Sequence, residues 1–294
     1  MGGSEFEIIV KGGDFVDFVT LNTGAKMPQL GYGVYQTPVE ETERCVREAI
    51  EVGYRSFDTA QAYQNESGVG KAIAGSGLNR SEFFVTTKIW ISNYGYEKAK
   101  ESIDRSLENL QTDYVDLFLL HQPFGDYYGA YRALEEAFDS GKARAIGVSN
   151  FYPDRFVDIA HFSRIKPAVN QIETHVFCQQ RQARKYLAKT DTKIMSWAPF
   201  AEGKNNYFTN PTLAKIGGSH GKTAAQVALR FLLQDGVILI PKSTHKNRME
   251  QNFNVFDFEL NSAEIEKIKS LDLGHSLFFD HHNPEVVEQF MGLA

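Results

Sequence analysis

Short apolar runs recur along this chain, and segments with helical period lie between them. The runs are rich in Val, Ile, Leu and Phe, which is typical of strands buried on both faces of a parallel sheet. Their number and spacing predict eight strand–helix units. The runs are LGYGV near residue 30, YRSFD near 55, FFVTTK near 83, YVDLFLLH near 114, ARAIGVSN near 143, PAVNQ near 167, KIMSW near 193 and VILIPK near 237.

The intervening segments carry helix signals on their faces and at their ends. After the third run, apolar residues three or four apart form one stripe that would face a core. Thr223 and Gln226 form a capping-box pattern at the start of a helix. Thr37-Pro38-Val39-Glu40 predicts another capping box, with proline at the first helical position. The stripe consists of Ala99, Ile103, Leu107 and Leu110.

Eight such units without a domain break predict an α/β fold, a single parallel (β/α)8 TIM barrel. The alternative is an open doubly wound sheet, which usually carries a G-x-G-x-x-G fingerprint after its first strand. That fingerprint fails because Gln36 stands where the third glycine is required. The stretch FVTLNTGAKM, residues 18–27, is expected to form a β-hairpin that plugs the N-terminal end of the barrel.

Length and composition are compatible with one barrel domain and disfavour other classes. The 294 residues fit one barrel, which takes ~250. We assign residues 15–294 to this domain and residues 1–14 to a disordered or vector-derived N-terminal segment. A net charge of −6 argues against nucleic acid as the main partner. No apolar run approaches the ~18 residues of a membrane span, and no secretory signal is visible, so we expect a cytoplasmic protein.

Cysteine and histidine usage gives no sign of a disulfide framework or a metal site. Cys45 and Cys178 are far apart in the sequence, and we expect both to be unpaired thiols in a reducing compartment. The pair His281-His282 beside Asp280 resembles a polar tail segment more than a metal cluster. We therefore predict no metal.

Polar residues follow the apolar runs, and in such a barrel the C-terminal strand ends form the active-site mouth. Asp58, Lys88 and His121 follow the second, third and fourth runs, and Tyr63 lies in the loop after Asp58. Each has an ordinary structural explanation when taken alone. Together they place a carboxylate, an ammonium, an imidazole and a phenol around one mouth. The later runs end in Ser149-Asn150, Gln171, Trp197 and Lys242-Ser243.

These four side chains suit proton transfer to a carbonyl oxygen as it becomes an alcohol. A tyrosine has an ordinary pKa near 10, and an ammonium beside it lowers that pKa by favouring the phenolate. A carboxylate would hold the ammonium in place, and a neutral imidazole would orient the substrate oxygen. A hydride would have to arrive from the other side of the carbonyl.

Several stretches of the chain are similar to motifs of the aldo-keto reductase family, in particular of its bacterial members. They run in the family's order from about Phe18 to near the C-terminus and include nearly every predicted strand. The stretches are GYRSFDTAQAYQNE, FFVTTKIW, DYVDLFLLHQP, AIGVSNF, VNQIETH and IPKSTHKNRMEQNF.

The resemblance implies an enzyme that binds NADPH in extended form across the C-terminal face of the barrel and reduces a small-molecule carbonyl. The four mouth residues would form the catalytic tetrad, with Tyr63 as the general acid. Ser149, Asn150 and Gln171 would hold the nicotinamide carboxamide, and Trp197 would stack on the ring. The family also favours a monomer.

The stretch after the last strand predicts NADPH rather than NADH. Lys242-Ser243-Thr244 leaves the strand, and His245-Lys246-Asn247-Arg248 begins a probable helix. A helix N-terminus with two cations forms an anion site, and Arg248 can bind a phosphate through two parallel hydrogen bonds. The resemblance places Gln251 and Asn252 near the adenine, with Gln251 where many members carry Glu.

We expect Tyr35, Trp90 and Phe124 to rim the substrate pocket. The loops after Lys88 and His121 are short, so the sequence predicts a shallow, open mouth over which the tail, residues 275–287, can fold. Small aldehydes, α-dicarbonyls or keto-sugars would suit such a mouth. A non-catalytic protein on the same barrel is the alternative, and the intact tetrad disfavours it.

Overall fold

The computed structural model describes residues 16–293, and the chain enters the fold through a β-hairpin. Its strands, β1 (Phe18–Thr20) and β2 (Lys26–Pro28), pair antiparallel. Leu21 and Met27 are buried in the apolar cluster that fills the barrel interior. The Asn22 Nδ2 donates to the Pro167 carbonyl at 3.1 Å, just before a barrel strand begins. The hairpin therefore plugs the N-terminal end of the barrel, as predicted.

The eight predicted barrel strands are all present, and each runs parallel to the next along the chain. The prediction of an α/β fold with a (β/α)8 barrel is confirmed. The strands are β3 (Tyr32–Gly33), β4 (Ser56–Asp58), β5 (Phe84–Ile89), β6 (Leu117–Leu120), β7 (Ile146–Ser149), β8 (Val169–Glu173), β9 (Lys193–Trp197) and β10 (Ile238–Leu239).

The barrel closes between its first and last strands. Leu30 forms a parallel bridge with Leu239, and the Gly31 N–H donates to the Leu239 carbonyl at 2.7 Å. A Cβ atom at Gly33 would lie 2.8 Å from the Ile240 carbonyl oxygen, so this closure requires glycine there. All strand ends consequently meet in one ring.

The helices that follow the strands carry the predicted apolar faces. The stripe after the third run lies on the third helix and is buried. The helices are α1 (Val39–Val52), α2 (Glu66–Ala74), α3 (Tyr96–Leu110), α4 (Tyr127–Asp139), α5 (Pro153–Phe162), α6 (Arg181–Leu187), α7 (Pro211–His220), α8 (Ala224–Gln234), α9 (Lys246–Phe253), α10 (Ser262–Lys269) and α11 (Pro284–Met291).

One of the two predicted capping boxes is present and the other is wrong. Thr223 and Gln226 cap α8 reciprocally. At α1, Pro38 has extended backbone angles and is itself the cap residue, so the helix begins at Val39. Thr37 is displaced by one position, and its buried hydroxyl has no hydrogen-bond partner among the described residues.

The predicted domain limits stay a prediction. Residues 1–15 and 294 lie outside the described residues, and with them the whole assigned segment 1–14. Within residues 16–293, no helix is long and apolar enough to cross a membrane.

Candidate active site

Four side chains meet at the C-terminal end of the barrel. Asp58 ends β4, Lys88 lies near the end of β5, and His121 follows β6, while Tyr63 ends a short 3-10 helix, Gln61–Tyr63. The Lys88 Nζ donates to Asp58 Oδ1 at 2.6 Å and to Tyr63 Oη at 3.3 Å. The ring centroids of Tyr63 and His121 are 5.6 Å apart. The structure thus brings together the four residues that the sequence singled out.

The Lys88–Asp58 ion pair is fully enclosed, since the side chains are 0% and 3% exposed. Lys88 Nζ also donates to the Thr59 carbonyl at 3.0 Å, and Asp58 Oδ2 accepts from Gln171 Nε2 at 2.8 Å. Burial lowers the pKa of Lys88 and raises the pKa of Asp58, because it penalises both charged forms. The short ion pair opposes both shifts, and the surrounding hydrogen bonds satisfy both charges.

The phenol of Tyr63 lies in an environment that keeps its proton in place. Burial raises the pKa of Tyr63 well above its ordinary value, and the nearby Asp58 carboxylate acts in the same direction. The Lys88 ammonium at 3.3 Å acts in the opposite direction, since a cation favours the phenolate. The expectation that the ammonium lowers the pKa of Tyr63 below its ordinary value is wrong, because burial is the larger effect. Tyr63 is therefore a protonated phenol at neutral pH, able to donate.

The imidazole of His121 is neutral at physiological pH. Burial lowers its pKa well below the ordinary value, and the Lys88 ammonium lowers it further. The ring meets the ring of Trp90 edge to face, with centroids 5.0 Å apart, and the backbone N–H of His121 donates to the Ile89 carbonyl at 3.1 Å. A neutral ring held in this way can donate one hydrogen bond to a ligand oxygen.

All of these four side chains except that of Lys88 line a cavity of about 610 Å³. Tyr35 and Trp90 line it too, and the ring of Tyr35 lies 5.0 Å from that of Tyr63. Phe124, the third aromatic predicted at the rim, is not among the lining residues and packs behind the C-terminal segment. Two of the three predicted pocket residues therefore face the cavity.

A set of amides and one indole lies on the other side of the cavity. Trp197 Nε1 donates to Asn150 Oδ1 at 2.8 Å, and Asn150 Nδ2 donates to the His121 carbonyl at 3.1 Å. Asn150 has φ of 64°, which asparagine tolerates better than most residues. Ser149 and Gln171 line the same space and are bonded through Ser149 Oγ to the Gln171 carbonyl at 2.9 Å. A flat indole beside amide groups fits a planar ring that bears a carboxamide.

The predicted phosphate and adenine residues extend away from this cavity along β10 and α9. Lys242 lines the cavity, and Arg248 is exposed in the first turns of α9. Lys246 forms an ion pair with Glu51, its Nζ 2.5 Å from Oε2, so Arg248 is the freer of the two cations near this helix start. The remaining residues predicted to bind the cofactor come after Lys242 in the sequence and do not line the cavity. They are Ser243, Thr244, Gln251 and Asn252.

Two further segments build walls of the cavity. One is the C-terminal tail, residues 275–293, which folds over the mouth as the sequence led us to expect, and the other is the long connection between β9 and α7, which was not predicted. The expectation of a shallow, open mouth rested on the loops after Lys88 and His121 and did not include these two walls. The additional lining residues are Ala198, Pro199, Phe200, Glu202, Phe208, Phe278, Phe279, Phe290 and Leu293.

The C-terminal tail is hydrogen-bonded to the barrel near both of its ends. The carboxylate of Glu173, at the end of β8, accepts from the Ser276 hydroxyl and from the Leu277 N–H, the latter at 2.8 Å. At the other end of the tail, Trp90 Nε1 donates to the Leu293 carbonyl at 3.0 Å. The stretch HSLFF was part of the sequence signal for this wall, and the prediction that the tail folds over the mouth is confirmed.

The histidine pair in the tail does not converge on a point. His281 is buried, whereas His282 is exposed, with Nε2 3.7 Å from Asp154. Within residues 16–293 there is no group of three or more His, Cys, Asp or Glu side chains placed to hold a metal ion. Cys45 and Cys178 are both buried free thiols.

The fold is a (β/α)8 barrel with a buried ion pair, a phenol and an imidazole at its mouth. Residues 21–273 match the Aldo/keto reductase family. The chain is 42% identical over 258 residues to a glyoxal reductase of Bacillus subtilis, covering 87% of this chain and 93% of the relative. It is 42% identical over 271 residues to a methylglyoxal reductase of Yersinia pestis, covering 91% and 96%.

A crystal structure of a Bombyx mori aldo-keto reductase in complex with NADP shares the fold. Its TM-score is 0.83 at 31% identity, covering 90% of this chain and 95% of that one. The chain therefore belongs to the aldo/keto reductase family. It is an oxidoreductase, an enzyme that reduces carbonyl groups with a nicotinamide cofactor.

Proposed function

We propose that this enzyme uses NADPH to reduce small aldehydes, α-dicarbonyls or keto-sugars to alcohols, with Tyr63 as the proton donor. The observation that carries the proposal is the position of Lys88, whose ammonium lies within hydrogen-bond distance of both Asp58 and Tyr63. The names of the Bacillus and Yersinia relatives, glyoxal reductase and methylglyoxal reductase, support small dicarbonyls as substrates.

Each side chain at the mouth then has one task. His121, neutral and facing the cavity, orients the carbonyl oxygen by donating a hydrogen bond. Tyr63 transfers its proton to that oxygen as negative charge develops there, and the Lys88 ammonium stabilises the phenolate that remains. Asp58 keeps Lys88 charged and fixed. The buried pair is formed before substrate arrives, so little reorganisation is needed during the reaction.

Ser149, Asn150, Gln171 and Trp197 would hold the nicotinamide end of the cofactor against the cavity wall. When bound, the nicotinamide supplies the hydride that adds to the carbonyl carbon. The amides would hydrogen-bond the carboxamide, and the indole would support the ring, so that only one ring face is offered to the substrate.

The direct test is to mix the purified protein with NADPH and a panel of methylglyoxal, glyoxal, nitrobenzaldehyde and keto-sugars, and to follow the absorbance of the reduced nicotinamide. We expect turnover with the activated carbonyls. A protein that binds NADPH but reduces no member of the panel would contradict the proposal.

We expect Arg248→Ala to weaken NADPH by ~1.5–3 kcal/mol, the usual contribution of hydrogen bonds to charged groups, and to leave NADH almost unchanged. The physical reason is that NADH has no 2′-phosphate for this exposed guanidinium at the start of α9 to bind. Dissociation constants for both cofactors measure the effect. Arg132→Ala, which removes an exposed arginine from α4, is the matched control. Equal losses for NADPH and NADH would refute the phosphate role.

We expect kcat/KM for methylglyoxal to exceed that for a steroid ketone. The cavity of about 610 Å³ has to accommodate the nicotinamide end as well as the substrate, and Phe290 and Leu293 of the C-terminal tail close one side of it. A bulky ketone would therefore bury little of its surface at ~25 cal/mol per Å², while a dicarbonyl is already activated. Steady-state kinetics with each substrate measures the two values. A higher kcat/KM for the steroid ketone would show that the cavity opens further than its walls indicate.

A further inference from the structure

His281 lies where the C-terminal tail turns into α11, and it is the one buried residue of that tail, residues 275–293. It is 7% exposed, whereas its neighbours Asp280 and His282 are both exposed. None of the tasks described above uses this residue. A histidine buried on a tail that is otherwise accessible has to be satisfied by specific contacts, or it would cost stability.

The polar contact of His281 is with the residue that follows the catalytic-site histidine. Its Nε2 lies 2.9 Å from Gln122 Oε1, so Nε2 carries the proton. Gln122 is itself fixed, because its backbone N–H and carbonyl are both bonded to the Tyr94 hydroxyl, at 3.0 and 2.8 Å. The tail is thus bonded to a rigid point one residue away from His121.

The apolar contacts of His281 are with rings that also contact one another. The imidazole stacks on Phe290, with centroids 5.6 Å apart and an interplanar angle of 13°, and lies 5.7 Å from the ring of Phe124, which is itself 5.8 Å from Phe290. Phe279 meets its edge at 5.0 Å. Burial lowers the pKa of His281 to about 4, so the ring is neutral at pH 7 and can be enclosed in this way.

Two of these rings, Phe279 and Phe290, also line the cavity, as does Gln122. We infer that His281 is a positioning residue that seats the C-terminal tail on the mouth of the barrel and so sets the apolar wall of the substrate pocket. The inference rests on the proposed carbonyl reduction. Substrates large enough to reach this wall depend on the seating, whereas a small dicarbonyl held at His121 and Tyr63 does not.

The kinetic test compares His281→Ala with His275→Ala, which removes an exposed histidine of the same tail whose Nδ1 lies 3.0 Å from the Leu273 carbonyl. We expect His281→Ala to raise KM for nitrobenzaldehyde about tenfold, which corresponds to losing ~60 Å² of apolar contact. KM for methylglyoxal, and kcat for both substrates, should change by less than about twofold. His275→Ala should change none of these constants.

A double-mutant cycle separates seating from a general loss of stability. Gln122→Leu and His281→Phe each leave one buried polar atom of the pair without its partner, whereas the double variant replaces both by apolar groups and keeps an aromatic ring in contact with Phe124 and Phe290. We expect each single variant to raise KM for nitrobenzaldehyde and the double variant to restore most of the wild-type value. Additive losses would overturn the inference.

Fluorescence supplies a readout that needs no turnover. The chain has two tryptophans, and both line the cavity. Trp197 stacks on Phe279, with ring centroids 5.7 Å apart. His281→Ala should shift the emission to longer wavelength, because unseating the tail exposes this indole, and His275→Ala should not.

The outcomes distinguish the inference from the proposed function. Unchanged emission together with unchanged KM for nitrobenzaldehyde would overturn the seating role, and so would equal losses for both substrates. If the wild-type protein reduced no carbonyl, the proposed function would fail, while an emission shift confined to His281→Ala would still support the seating of the tail.

Discussion

Replacing Tyr63 by Phe is expected to lower kcat by ~10²-fold or more, the usual contribution of a general acid, while leaving cofactor affinity nearly intact. The substitution removes the only transferable proton of the phenol and keeps the ring that meets His121 at 5.6 Å. Single-turnover kinetics and NADPH binding measure the two effects separately. Retention of most of the activity would mean that Tyr63 is not the acid.

Tyr131→Phe is the matched control for that experiment. Tyr131 is another buried tyrosine, and its hydroxyl donates to the Ile165 carbonyl at 3.0 Å, outside the cavity. Loss of this hydrogen bond should cost ~1 kcal/mol of stability and leave kcat unchanged. The comparison shows whether removing a buried hydroxyl alone is enough to reduce turnover.

Replacing Lys88 by Met is expected to lower kcat by about two orders of magnitude and the free energy of unfolding by ~3–5 kcal/mol. Activity falls because the phenolate left by proton transfer loses its cation. Stability falls because Asp58, 3% exposed, keeps a buried charge without its partner. Kinetics and denaturant unfolding give the two quantities.

The double variant Asp58→Asn/Lys88→Met separates these effects. With the carboxylate neutralised, no buried charge remains at this place, so much of the lost stability should return. Activity should not return, because Tyr63 still lacks the ammonium at 3.3 Å. Recovery of turnover in the double variant would show that Lys88 acts on stability alone.

The substitutions at Lys88 and Tyr63 are expected to change the pH dependence of the reduction rate in different ways. Reduction requires protonated Tyr63, so its rate falls at high pH, as the phenol ionises. Because the Lys88 ammonium favours the phenolate, its removal raises the pKa of Tyr63 further and moves this alkaline limb to higher pH. Tyr63→Phe should abolish the limb. An alkaline limb that stays in place in Lys88→Met would contradict the electrostatic link between the two groups.

The barrel and the meeting of the four mouth residues could be predicted from sequence because both follow from short-range rules. Apolar runs of strand length define the eight strands, and parallel topology forces Asp58, Lys88 and His121 to one rim. The failed cap at Thr37 marks the limit of such rules. Pro38 fits the first helical position and also the cap position, and only the backbone angles of this chain decide between them.

The parts that could not be predicted depend on contacts between distant residues. The tail carried an apolar signal, but the pairing of His281 with Gln122 spans 159 positions of the chain. The pKa of Tyr63 likewise depends on how completely the phenol is enclosed, which no local pattern reports. Phe124 was expected at the rim because it lies in the loop after β6, yet His281 stacks on it.

The closure of the barrel has a consequence for synthesis on the ribosome. Gln29 Nε2 donates to the Leu233 carbonyl at 2.7 Å, across 204 positions, and Leu30, just before β3, bridges Leu239 of the last strand over a similar separation. Most of the chain must therefore emerge before the ring can close, and until then the nascent chain presents an unpaired strand edge. We therefore expect the growing polypeptide to be most prone to edge-to-edge association before its last strand has emerged.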